Sequence, residues 1–148
     1  MIAIGCDHGG YTLKLAIIEH LKDRGIEVKD FGCYNGEAVN YPDIAEALCE
    51  SIVKKESTLG ILCCGSGIGM SMAANKVKGI RAAACSETFS AEFTRRHNDA
   101  NVLCLGGRVI GPGVANQMVD LFIDTEFEGG RHQVRVDMIT AIENKNCK

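Results

Sequence analysis

The sequence has no excess of basic residues: 16 Lys and Arg stand against 19 Asp and Glu in 148 residues, a net charge of −3. A broad basic face for nucleic acid is disfavoured, and any bound anion must be held by local arginines. No apolar stretch approaches the roughly 20 residues that span a bilayer, so no membrane segment is expected. The amino-terminal apolar run meets Asp7 and His8 at once, and no signal peptide is expected. The eight cysteines include no C-x-x-C pair, and no histidine lies at a zinc-binding spacing. Metal ligands cluster nowhere along the chain, so no metal is expected. Two phosphate-binding signatures are also missing. The dinucleotide fingerprint needs glycine where Met70 stands, and no Gly-Lys-Ser/Thr follows a glycine loop. Internal repeats, linkers and low-complexity tracts are absent too.

What is present is one domain's length of ordinary globular composition, 46% hydrophobic and 24% charged. Disulfide scaffolds are usually short and loop-rich. Here several cysteines end apolar strand-like runs, where a reduced thiol serves as a small hydrophobe. A cytoplasmic location is expected.

The central stretch is Leu59–Asn75, LGILCCGSGIGMSMAAN. Its apolar start suits a buried strand, Gly65-Ser66-Gly67-Ile68-Gly69 breaks it, and Met70, Met72, Ala73 and Ala74 read as a helix. Such a junction offers unpaired backbone N–H groups and a helix dipole to an anion. Cys64, last before the turn, would feel the same field, which favours thiolate. The glycines could equally serve close packing, and Cys64 could be an inert strand-end cysteine.

Around this stretch, Met1–Cys6 reads as a first strand and about Thr12–Arg24 as a helix with Leu13, Ala16, Ile17 and Leu21 inward and Gly25 as its cap. Ile26–Phe31 reads as a strand and Gly32–Tyr41 as a loop. Pro42 opens a helix with Ile44, Ala45, Leu48 and Ile52 inward. Ile80–Cys85 is a fourth strand, and Ser86 caps a helix through about His97. Asn101–Leu105 is a fifth strand, and Pro112 begins a helix. Arg131–Asn144 forms a tail helix with Val134, Met138, Ile139 and Ile142 on one stripe. Five strands alternating with helices predict an α/β, doubly wound (Rossmann-like) five-stranded parallel sheet in an α/β/α sandwich. The extra carboxyl-terminal helix, with no strand after it, suggests packing on a partner subunit.

Functional loops of a parallel sheet gather at the strands' carboxyl ends. Those ends carry Asp7-His8, Cys64 with its glycine turn, Cys85-Ser86-Glu87 and Gly106-Gly107-Arg108. His97-Asn98-Asp99 ends a helix and should face the other edge of the sheet. For His97 to share the pocket it must come from a neighbouring subunit or an irregular helix end. His8 could be a turn histidine or a ligand-binding one, and Asp7 could be a helix cap. Arg131 and Arg135, four apart on a helix, suit a phosphate. They could equally pair with Glu128 or Asp137 on a solvated face. Arg95 and Arg96 are weaker candidates.

Six motifs recur in register: Asp7-His8-Gly9-Gly10, Cys64–Gly69, Ala73-Ala74-Asn75-Lys76, Gly79-Ile80-Arg81, His97–Asn101 and Gly129-Gly130-Arg131-His132. Together, from Met1 to about Ile142, they resemble the B-type ribose-5-phosphate isomerases, a group that includes the galactose-6-phosphate isomerase subunits. The resemblance implies interconversion of ribose 5-phosphate and ribulose 5-phosphate through a cis-enediolate, a step of the non-oxidative pentose phosphate pathway, without a cofactor. It implies a homodimer or dimer of dimers with active sites shared between subunits. It assigns ring opening to His97 with Asp7, and proton transfer between C2 and C1 to Cys64. The N–H groups from Gly65 through Gly67 and Ile68 to Gly69 would face the enediolate oxygen. Ser66 keeps a hydroxyl where many relatives have threonine. Met70 stands where another branch has a glutamate base. Asn98 would hold the enediolate or a sugar hydroxyl. His8, Arg108, Arg131 and Arg135 would grip the phosphate and the sugar's far end, and Tyr41 would line the pocket. The alternatives are a six-carbon sugar phosphate such as galactose or allose 6-phosphate, or a non-catalytic sugar-phosphate-binding module.

Overall fold

The computed structural model describes residues 1–147. Its elements run β1 (Ile2–Cys6), a 3₁₀ turn (His8–Gly10), α1 (Tyr11–Asp23), β2 (Val28–Asp30), α2 (Tyr41–Val53) and β3 (Leu59–Cys64). They continue through α3 (Ile68–Ala74), β4 (Ala82–Ala84), α4 (Thr88–Asn98), β5 (Val102–Gly106), α5 (Pro112–Asp124) and α6 (Arg131–Asn146). All strands are parallel, in the order β2-β1-β3-β5-β4. This is the expected doubly wound sheet. The buried central strands β1, β3 and β5 are apolar throughout, because helices cover both faces.

One apolar layer joins Leu13, Ile17 and Leu21 of α1 to Ala91 of α4 and to Ala115, Met118, Val119 and Phe122 of α5. The other joins Ala45, Leu48, Cys49 and Ile52 of α2 to Met70 and Ala74 of α3. Helix α6 stands apart from both layers: it buries only His132 and Val136 and leaves Val134, Met138, Ile139 and Ile142 about half exposed or more. Among the described residues no helix is long and apolar enough to cross a membrane.

Most expected boundaries move by a residue or two. The edge strands shorten more, to three residues each, because they have a partner on one side only. Gly25 does take the left-handed conformation after α1, where its N–H and that of Ile26 return to Lys22 O and Leu21 O. Ser86 is not the cap of α4. Glu87 is, with its carboxylate accepting from Ser90 N at 3.0 Å. That bond holds the Glu87 carboxyl below the usual carboxylate range. Lys14 is the unforeseen core residue. It is fully buried, with Nζ 2.8 Å from the Asp30 carboxylate and donating also to Cys33 O. A buried ammonium persists only with such partners.

Candidate active site

The strand ends set the first half of the site. The Asp7 Oδ1 accepts from Gly9 N at 2.8 Å and Gly10 N at 3.2 Å, so the expected cap forms on the 3₁₀ turn directly after β1. A Cβ on Gly9 would sit 2.9 Å from Gly65 N, and glycine therefore lets this turn lie against the turn after β3. Gly107 N donates to Cys64 O and Arg108 N to Gly65 O, which ties the turn after β5 to the same place. Three strand ends thus converge backbone to backbone.

Between them opens a pocket of about 450 Å³ lined by Asp7, Tyr41, Cys64, Gly65, Ser66, Gly69, Arg108 and Val109. Cys64 is 5% exposed, and its Sγ accepts the Gly67 N–H at 3.0 Å. Gly67 reaches that geometry at φ 82°, the left-handed region that glycine allows. Burial pushes the Cys6 and Cys49 thiols up to about 12 and also raises those of Cys63 and Cys104, so all four stay protonated packing groups. Cys64 differs from them by opening onto the pocket and by its N–H contact to sulfur.

The turn departs from expectation in two ways. Gly67 N–H is committed to Cys64 Sγ and Ile68 N–H to Ser66 Oγ at 3.2 Å. The expected anion cradle therefore narrows to the N–H groups of Gly65, Ser66 and Gly69. Helix α3 is also only seven residues long, so oriented amides rather than a large macrodipole supply the field. Ile68 is half exposed and His8 exposed; neither lines this pocket. Met70, fully buried on the inner face of α3, only packs.

The second half lies elsewhere. Helix α4 runs back from the carboxyl end of β4 to the start of β5, which carries His97 and Asn98 to the opposite edge of the sheet. They line a separate pocket of about 310 Å³ with Cys85, Phe89, Ser90 and Phe93. No irregular helix end bends His97 toward Cys64, since α4 stays regular through Asn98 and closes at Asp99 in the left-handed conformation. Arg131 and Arg135, exposed on α6, share this edge, and among the described residues neither makes an ion pair. The alternative partners go elsewhere: Asp137 accepts from Gln133, and Glu128 from Arg96 at 2.7 Å. Arg95 is used structurally, bonded to Asp99 and Ala100 O.

One grouping was not legible in the sequence. Glu128 N donates to Arg96 O, and Gly129 and Gly130 at positive φ turn the chain into α6. His132 is thereby laid over His97, with ring centroids 4.0 Å apart and planes 11° from parallel. Contrary to the expectation that metal ligands cluster nowhere, His97, Glu128 and His132 offer ligand atoms within 4.8 Å of one another. Nearly parallel rings cannot aim both lone pairs at one ion, however, and Arg96 already holds the carboxylate. The arrangement fits a proton-handling cluster better than a metal centre.

Residues 2–139 match the model of the ribose/galactose isomerase family. The chain is 49% identical to the ribose-5-phosphate isomerase B of Escherichia coli K12, with 97% of each chain covered. The fold superposes on that of Clostridium thermocellum ribose-5-phosphate isomerase B with a TM-score of 0.95, at 51% identity and 97% coverage of both. It also superposes on Mycoplasma genitalium ribose-5-phosphate isomerase B with bound ribulose-5-phosphate, with a TM-score of 0.93 at 44% identity, covering 98% of this chain and 97% of that one.

Proposed function

The chain belongs to the ribose/galactose isomerase family, and from that premise we propose that it interconverts D-ribose 5-phosphate and D-ribulose 5-phosphate, a step of the non-oxidative pentose phosphate pathway. The observation that carries this reading is Cys64, a pocket-facing thiol whose sulfur accepts a backbone N–H beside the Asp7 carboxylate. Binding a sugar phosphate needs no such base; moving a carbon-bound proton does.

In this reading His97, with Asp7, moves a proton between the ring oxygen and the anomeric hydroxyl to open the sugar. Cys64 then takes the C2 proton and returns it to C1. The developing enediolate oxygen meets the N–H groups of Gly65, Ser66 and Gly69, a set of fixed donors placed where negative charge grows. The Ser66 hydroxyl stands at the same turn. Asn98 holds the enediolate or a sugar hydroxyl, and Tyr41 walls the pocket. His8, Arg108, Arg131 and Arg135 hold the phosphate and the far end of the sugar. The chemistry calls for no cofactor.

Because Cys64 and His97 sit at opposite edges of one chain, the working site is assembled from two chains of a homodimer. The exposed stripe Val134, Met138, Ile139 and Ile142 on α6 supports the same pairing, since a monomer has no use for it. The eight free cysteines suit a reducing cytoplasm.

Proton NMR of ribose 5-phosphate in heavy water with the purified protein tests the reading. Ribulose 5-phosphate carrying deuterium at C1 is expected. Binding of ribose 5-phosphate without reaction would overturn it, and turnover of six-carbon phosphates alone would move the substrate assignment to those sugars.

A further inference from the structure

The ring that opens the sugar must exchange two protons with oxygens at different places, so its plane and its protonated nitrogen both matter. In this fold His97 is clamped on two sides. Phe93, one turn earlier on α4, meets it edge-on with centroids 5.0 Å apart, and His132 of α6 stacks face to face at 4.0 Å. Beside the stack, Glu128 Oε2 lies 3.5 Å from His132 Nε2 and 3.8 Å from His97 Nε2. Arg96 fixes the carboxylate by its other oxygen at 2.7 Å and keeps it ionised. Burial lowers the affinity of His132 for a proton, with His97 and Arg131 adding to the effect, so a neutral ring faces His97.

We propose that His132 and Glu128 are positioning residues for His97: the stacked ring sets its plane, and the carboxylate, fixed by Arg96, flanks both rings and keeps them in place. Neither touches substrate in this scheme. The inference rests on the isomerase reading above and adds to it two residues on which only ring opening depends.

Ring opening can be separated from proton transfer by choice of substrate. Ribulose 5-phosphate has its C5 oxygen blocked by phosphate, so it cannot close a five-membered ring and reaches the enediolate without His97. Exchange of its C1 proton in heavy water therefore reads Cys64 alone, whereas turnover of ribose 5-phosphate reads both steps. In the whole chain, His132→Ala and Glu128→Gln should slow ribose 5-phosphate turnover by about tenfold to a hundredfold, by analogy with the loss of a group that orients a metal-bound imidazole. C1 exchange should stay within about twofold of the unaltered protein. His132→Phe, which keeps a flat ring over His97, should recover most of the turnover lost in His132→Ala. Equal loss of both activities would make the cluster merely structural and overturn the inference. So would unchanged ribose 5-phosphate turnover, or a Phe variant as slow as the Ala one. If the unaltered protein showed neither activity, the isomerase reading itself would fall, and this inference with it.

Discussion

The Cys64 end and the His97 end of the molecule are built from different materials. At the Cys64 end, three turns after β1, β3 and β5 lie backbone against backbone, and the Cys64 sulfur accepts the Gly67 N–H, a donor that cannot rotate away. At the His97 end the architecture is made of side chains: an aromatic ladder along α4, a ring from α6 and a carboxylate held by an arginine. The first arrangement is suited to stabilising charge at one fixed point. The second is suited to proton traffic, where a ring must be oriented yet change its protonation state. Enediolate isomerisation of a cyclic sugar needs both, and the fold keeps them at opposite edges of a chain.

If the comparison is right, damage at the two ends should differ in kind. The largest effect belongs to Cys64→Ala, which would remove the proposed base while leaving the N–H cradle. Turnover should fall about a thousandfold or more, with sugar-phosphate binding by calorimetry retained; turnover near that of the unaltered protein would remove Cys64 from its role. Next come Arg131→Ala and Arg135→Ala at the other end. In the proposed site each would give up charged hydrogen bonds to the phosphate worth about 1.5–3 kcal/mol, so KM should rise roughly tenfold or more with kcat changing less. A loss confined to kcat would show that these arginines do not hold the phosphate.

The smallest effect is a control outside both ends. His20 of α1 and Arg24, which follows that helix, hold Asp120 of α5 at 2.8 and 2.6 Å. Partial burial pushes the Asp120 carboxyl up, but these partners outweigh it and hold the group below its usual value. Its contribution is present above about pH 3.9, the ordinary Asp value, and is lost as pH falls through the lower folded value. Asp120→Asn should flatten the acid limb of thermal stability by no more than about 1 kcal/mol and leave turnover alone. A change in turnover would mean that losses at the two ends are not specific.

Legibility in the sequence divides along the same line. The Cys64 end could be read because its devices are local: a strand, its last cysteine and three glycines within five residues all fall in one stretch. Even there, hydrogen bonding inside the turn took two N–H groups that no spacing rule could assign. The His97 end was half legible. Its position at the wrong edge followed from helix direction, but its partners did not. Arg96 meets Glu128 across 32 residues and His97 stacks on His132 across 35. The only local signal was Gly129-Gly130 ahead of the tail helix. Lys14 was missed for a related reason: its burial depends on Asp30, 16 residues away, and periodicity assigns a lysine to the surface.

In the proposed dimer one active site takes Cys64 from one chain and His97 from the other, and co-expression of Cys64→Ala and His97→Ala chains carrying different tags decides the point. Each variant alone should be nearly inactive. A random mixture should place an intact site in half of the dimers, restoring roughly one quarter of the unaltered activity, all of it in the doubly tagged fraction. Recovered doubly tagged dimers with no activity would return both residues to a single chain.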